Sequence, residues 1–302
     1  MVTALDIKKK ALELGADLVG IGDIRLFEGT SPQHDPKMIL PRATCVIGCA
    51  FRVPRALYQT MHDQVQYLNY AQIGVRLIDE EVSEIFLLRL GAMIEDAGYD
   101  ACVQRNVSNL MVKGDHSTNP EVYDTYELKF AEAVAPGKPA PDVILDVAQA
   151  ARICGLGAIG DSGHVLAKEL GPYVRFVFII TDMPLECDPP FEGTLCDHCG
   201  KCAAACPGHA ISKEGLDTWQ CAVYYKGAHA SNPFMHDGFL KGSPEREEIL
   251  QGAKHFDSDS ARALYPQEQF LPTQPMRGYM PALCGKACDY ACYHHLKELG
   301  RL

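Results

Sequence analysis

The sequence predicts an α+β fold in two parts, and three observations carry that reading. Strand-like apolar runs alternate with helical stretches through the first 184 residues, prolines mark a break over 184–190, and a thiol run, Cys196-Asp-His-Cys199-Gly-Lys-Cys202-Ala-Ala-Ala-Cys206-Pro207, opens the second part. C-x₂-C-x₂-C-x₃-C-P is the bacterial ferredoxin run, whose first three cysteines hold one [4Fe–4S] cube while the fourth reaches a second. The expected domains are 1–184, an α/β unit built on a mixed sheet, and 185–302, a ferredoxin-like double-cluster unit with an insertion at about 222–283.

Thr3 opens a helix reaching 14, with Leu5, Ile7, Ala11, Leu12 and Leu14 apolar and Gly15 as its cap. Residues 16–22 read as a short strand, and Pro32, Pro36 and Pro41 make 30–42 a loop. The apolar run 44–51 suits a strand covered on both faces. From about 57 to 97 the spacing predicts a long helix broken near Gly74, with Val75, Ile78, Val82, Ile85, Phe86, Leu90 and Met93 as its core stripe. Gly98 ends that helix and 99–107 reads as a strand. The proline-bearing stretch 108–141 reads as irregular, with Tyr123, Tyr126 and Phe130 assigned to packing. Residues 142–154 are alanine-rich and helical in character, a short helix is expected before Tyr173, and 173–181 is the clearest strand. The interval 222–283, with His229, His236 and His255, reads as an insertion wrapped over the cluster unit.

A chain of 302 residues with 47% hydrophobic content can bury a sizeable core. No apolar run long enough to cross a bilayer occurs, and Lys8, Lys9 and Lys10 precede no apolar segment of the kind found in an export signal, so a cytoplasmic protein is expected. Lys and Arg number 28 against 39 Asp and Glu, and the net charge of −11 argues against a large polyanion as the main partner. Of 13 cysteines, Cys45, Cys49, Cys102, Cys154 and Cys187 sit among apolar residues and read as structural.

The other eight carry chemistry. If Cys206 serves a second cluster, further thiols are required downstream, and Cys221, Cys284, Cys288 and Cys292 supply them. The ferredoxin crossing rule groups Cys196, Cys199, Cys202 and Cys292 on one cluster and Cys206, Cys221, Cys284 and Cys288 on the other. Gly200, Ala203, Ala204 and Ala205 let the backbone approach the inorganic core. The competing reading is a structural zinc knuckle, with His198 or His209 among its ligands.

Gly155-x-Gly157-x-x-Gly160 matches the dinucleotide fingerprint, with Asp182 near where a ribose-binding acid is expected. The fingerprint requires a strand immediately before it, whereas 147–153 has helical character. A tight turn with no ligand is the plainer alternative.

The order of elements resembles another family. The first helix and Ala-Asp-Leu-Val-Gly-Ile, the Ala43-Thr-Cys-Val-Ile-Gly strand, Ile153-Cys-Gly-Leu-Gly-Ala-Ile-Gly, the run from Val174 to Glu186, the cysteine run ending Cys206-Pro-Gly-His-Ala-Ile211, and Cys221-Ala-Val-Tyr224 are similar to the corresponding stretches of the epoxyqueuosine reductases and their reductive-dehalogenase relatives. The resemblance implies a corrinoid-binding-type α/β domain, with two [4Fe–4S] clusters delivering electrons to a base-off cobalamin. It implies that Gly155, Leu156, Gly157, Ala158, Ile159 and Gly160 form a backbone cradle beside the corrinoid. The family usually has Trp-Ile-Gly-Lys-Asn where this chain has Ala158-Ile-Gly-Asp161-Ser162, and neither Asp142 nor Asp146 aligns ungapped with its proton donor, so no catalytic acid is assigned. With ten residues after Cys292, a tRNA-binding extension of the kind many relatives carry is not expected. The expected function is therefore a cytoplasmic cobalamin-dependent iron–sulfur oxidoreductase acting on a small molecule or another corrinoid rather than on tRNA, supplied by a donor such as a ferredoxin or flavodoxin. The rivals are a ferredoxin-like electron carrier without corrinoid and an NAD(P)-linked iron–sulfur reductase.

Overall fold

A computed structural model describes residues 2–106, 133, 135–141, 143–264 and 281–302. The expected irregular stretch 108–141 lies outside the described residues except for 133 and 135–141, and Tyr123, Tyr126 and Phe130 are among those outside.

Helix α1 (Ala4–Glu13) begins where Thr3 and Asp6 cap each other's backbone N–H groups, and Gly15 leaves it at a φ of +104°. Strand β1 (Leu18–Asp23) comes next. The expected loop at 30–42 contains a single helical turn, α2 (Pro36–Ile39), because Pro36 stands at its first position and the Asp35 carboxylate accepts from the Lys37 N–H. Strand β2 (Cys45–Arg52) leads into α3 (Arg55–His62).

The expected long helix is interrupted over 63–67 rather than at Gly74, and then resumes and continues as a π-helical stretch, Tyr70–Val82, that runs into α4 (Ser83–Asp96). Its wide turns are visible where the Ser83 N–H donates to the Ile78 carbonyl five residues back. The core stripe shifts phase in consequence: Ile78, Phe86 and Leu90 are buried, but Val82 and Ile85 face solvent. Strand β3 (Ala101–Gln104) and α5 (Val147–Ile153) come next. The short helix expected before Tyr173 is a hairpin, β4 (Gly157–Ile159) and β5 (Val165–Ala167), paired Gly157↔Ala167 and Ile159↔Val165. Strand β6 (Val174–Thr181) closes the first half.

The sheet order is β1-β2-β6-β3, and every pairing among the described residues is antiparallel, which corrects the expected mixed sheet. The sequence shows strands separated by helices and loops, a pattern that parallel crossovers share, so it leaves pairing direction open. Alternation along β2 sends Cys45, Ile47, Cys49 and Phe51 to a core beneath α1 and α4, and Val46 and Ala50 to a second core beneath α5. Both faces are covered, as the apolar run predicts. Gly48 makes room for α5: a Cβ there would lie 2.9 Å from that of Cys154. Asp79, 1% exposed, pairs with Arg175 on β6 and fixes the π-helical stretch to the sheet.

Downstream come α6 (Lys201–Ala205), a two-stranded ribbon of β7 (Ile211–Ser212) and β8 (Gly215–Leu216), α7 (Thr218–Tyr225), α8 (Arg246–Leu250), α9 (Ser258–Leu264) and α10 (Ala287–Glu298). Helix α7 and the interval after it build a core from Trp219, Tyr224, Phe239, Ile249 and Phe256. Helix α10 packs back on the first half, with Tyr293 stacked on Tyr173 at 4.2 Å and Tyr290 on His62 at 4.0 Å. No helix among the described residues is long and apolar enough to cross a membrane.

Candidate iron–sulfur centres and the hairpin between them

None of the thirteen cysteines is in a disulfide, and eight gather in two cavities. Cys196, Cys199, Cys202 and Cys292 line the first. Cys206, Cys221, Cys284 and Cys288 line the second. Short elements deliver these thiols. Gly200, at a φ of +72°, turns the chain into α6, which carries Cys202 and is followed directly by Cys206. Helix α7 brings Cys221, and α10 carries both Cys288 and Cys292, so one helix feeds both cavities.

Polar contacts tie the cysteine loop to α10. Asp197 accepts from His295 at 2.8 Å, Lys201 reaches Glu298 at 3.2 Å, and Arg301 donates to the Leu195 carbonyl at 2.9 Å. His198 is bonded to Asp161 at 2.8 Å, and His209 lines neither cavity. At the second cavity, buried Asp289 accepts from His164 at 2.6 Å and from Lys286 at 2.9 Å. Burial alone would push the Asp289 carboxyl up, but His164 and Lys286 outweigh it and hold the group well below the carboxylate range. Burial works against the Lys286 ammonium too, and Asp289 overrides it.

Burial pushes the thiols of Cys202 and Cys284 up to about 11, and those of Cys221 and Cys292 to about 12. Without metal these ligands are neutral thiols at pH 7, and a metal must displace their protons. Four thiols converging on each of two spaces fit a pair of Cys-bound cubes. Cys45, Cys49 and Cys154 are buried among apolar side chains away from both cavities, where desolvation raises their pKa. Ser162, His164, Lys286 and Asp289 join the site as residues not assigned to it from the sequence. Lys286 and Asp289 stand within the Cys284–Cys292 run, where charges among ligands are a signal the sequence does carry, whereas Ser162 and His164 belong to no pattern.

The glycine loop does structural work. Helix α5, not a strand, precedes it, so the dinucleotide fingerprint lacks its required context. Leu156, Gly157 and Ala158 are buried, and a Cβ on Gly155 would lie 2.9 Å from the Pro189 carbonyl oxygen. A Cβ on Gly157 would press on the Leu166 carbonyl and lie 2.9 Å from the Ala167 Cα. Ile159, 44% exposed, and Gly160 are left at the surface end of the strand, and Gly160 already lines the first cavity.

The 4Fe-4S binding domain model matches residues 190–212, the stretch that holds the cysteine run, and so supports iron–sulfur chemistry there. The chain is similar to the epoxyqueuosine reductases. That of Vibrio cholerae is 26% identical over 290 residues, covering 89% of this chain and 68% of that protein. That of a Synechococcus strain is 28% identical over 121 residues, 39% of this chain, and the match spans only 38% of that enzyme. The solved epoxyqueuosine reductase from Streptococcus thermophilus superposes with a TM-score of 0.50 at 18% identity, covering 91% of this chain and 68% of that one, which establishes the shared fold.

Proposed function

We propose that this chain is a cobalamin-dependent iron–sulfur reductase in which Cys196, Cys199, Cys202 and Cys292 hold one [4Fe–4S] cluster and Cys206, Cys221, Cys284 and Cys288 the other. The observation that carries this reading is the gathering of eight thiols into two four-thiol cavities that meet in the chain, within a fold shared with epoxyqueuosine reductases. Two low-potential clusters and a corrinoid together supply strong one-electron and cobalt-centred reducing chemistry. The chain's own residues do the positioning. Helix α10 holds one ligand set against the other, and Lys286, backed by Asp289, places a buried positive charge beside the second set. The corrinoid is assigned to the first 184 residues, with Ile159 and Gly160 as the part of the glycine loop open to it.

The substrate in this reading is a small molecule or a second corrinoid, since a net charge of −11 works against docking a polyanion. The donor is a small redox protein such as a ferredoxin or flavodoxin. Anaerobic reconstitution tests the proposal: two cubes require about eight iron atoms per chain, and added cob(II)alamin should bind and be reduced. Four or fewer irons, or stoichiometric zinc, refutes the double-cluster assignment. A chain with full iron that ignores cobalamin is the electron carrier instead.

A further inference from the structure

Ser162 lies in the turn between β4 and β5, which the Gly163 N–H closes by donating to the Gly160 carbonyl at 2.9 Å. The side chain is 2% exposed, and its Oγ has no hydrogen-bond partner among the described residues. A buried hydroxyl left unpaired is destabilising unless a group outside the chain accepts from it. Its neighbours are engaged already: Asp161 with His198, and His164 with Asp289. Ser162 is also the one residue common to the linings of the two cavities, so it stands where the two sets of four thiols come together. Eight of the residues lining those two cavities are cysteines.

We propose that Ser162 donates its Oγ–H to a sulfur of one of the two clusters and thereby sets that cluster's reduction potential, as a positioning residue rather than a ligand. This rests on the assignment of clusters to these cavities. Reduction adds negative charge to the cluster sulfurs, so a donor aimed at one of them favours the reduced form, and hydrogen bonds to sulfur are among the levers that tune such centres. Removing the donor should make the affected cluster harder to reduce.

The test uses the full chain, reconstituted anaerobically, as the unaltered protein, Ser162→Ala and Ser162→Thr. Iron per chain is measured, and each midpoint potential is read by a redox titration followed by electron paramagnetic resonance. The expected result is unchanged iron in Ser162→Ala and a roughly tenfold loss in the reduction constant of one cluster, about 59 mV for a one-electron couple. Ser162→Thr, which keeps a hydroxyl, should restore most of it. Full iron with both potentials unmoved in Ser162→Ala overturns the proposal, as do equal shifts in the Ala and Thr variants. Loss of iron in both variants makes Ser162 a packing residue and overturns it too. An unaltered protein that takes up only about four irons or fewer refutes the two-cluster reading itself, a result distinct from the others.

Discussion

Replacing Gly157 by alanine puts a methyl group where the hairpin has none to spare. The added Cβ meets the Leu166 carbonyl and the Ala167 Cα, both backbone atoms of the paired strand in the register Gly157↔Ala167, so no side chain can swing aside. Relief requires β4 and β5 to separate or the hairpin to lift away from Leu166, which is fully buried. Overpacking of this kind costs about 1–3 kcal/mol, and at roughly 2–4 °C per kcal/mol for a chain of a few hundred residues the Tm should fall by about 2–12 °C. The same hairpin supplies Gly160, Asp161 and Ser162 to the first cavity, so iron held by Cys196, Cys199, Cys202 and Cys292 should be lost first. Thermal unfolding followed by circular dichroism, with iron measured on the same anaerobic sample, checks both effects. Ile159→Ala, in the same strand but 44% exposed, is the control and should stay within about 0.5 kcal/mol. A Gly157→Ala protein with unchanged Tm and full iron refutes the packing account of this loop.

Cys292→Ala should alter the spectrum of the cluster assigned to Cys196, Cys199 and Cys202, because those thiols share its cavity; a change confined to the other cluster would refute the pairing. Asp79→Ala leaves the half-buried Arg175 guanidinium on β6 without its buried partner and should cost about 1–3 kcal/mol, read by urea unfolding, whereas replacing Asp79 and Arg175 together by leucine and methionine should recover much of it. Burial holds His229 down at about 4 against its ordinary 6.5. The folded chain therefore stays neutral there while the unfolded chain takes a proton, so this contribution is complete above pH 6.5 and shrinks as pH falls towards 4. The loss amounts to up to about 3 kcal/mol; His229→Gln should flatten that part of the stability profile, and an unchanged slope would count against the assignment.

The features legible in the sequence are those that local chemistry decides. The Thr3 cap, the positive-φ glycines at 15 and 98, and the continuous apolar run of β2 each depend on a few neighbouring residues, and each appears where expected. The thiol run announces its chemistry because metal ligation constrains spacing tightly. Pairing direction is out of reach, since antiparallel β2 and β6 are far apart in the chain and nothing local separates them from a parallel pair. A short helix is expected before Tyr173 where the chain instead forms strand β5 of the hairpin, because β5 has three residues, too few for alternation to show. The rephasing of the stripe at Val82 and Ile85 comes from π-helical turns, which a template of 3.6 residues per turn does not contain. Gly157 reads as a ligand contact because close backbone approach to a cofactor and close approach to another strand demand the same missing Cβ.

Helix α10 closes both cavities, and that sets an order of events during synthesis. The clasp between Asp197 and His295 joins positions 98 residues apart. At about 5–20 residues per second, some 5–20 s separate emergence of the cysteine loop from that of the helix that completes it. Through that interval Cys196, Cys199 and Cys202 form an incomplete claw, open to oxidants and to stray thiophilic ions that need fewer ligands than a cube does. Iron delivery is therefore best matched to the finished chain, and expression that outruns the supply of iron and sulfide should accumulate metal-poor protein whose α10 stays docked only through its stacked tyrosines and its polar contacts to the cysteine loop and His164.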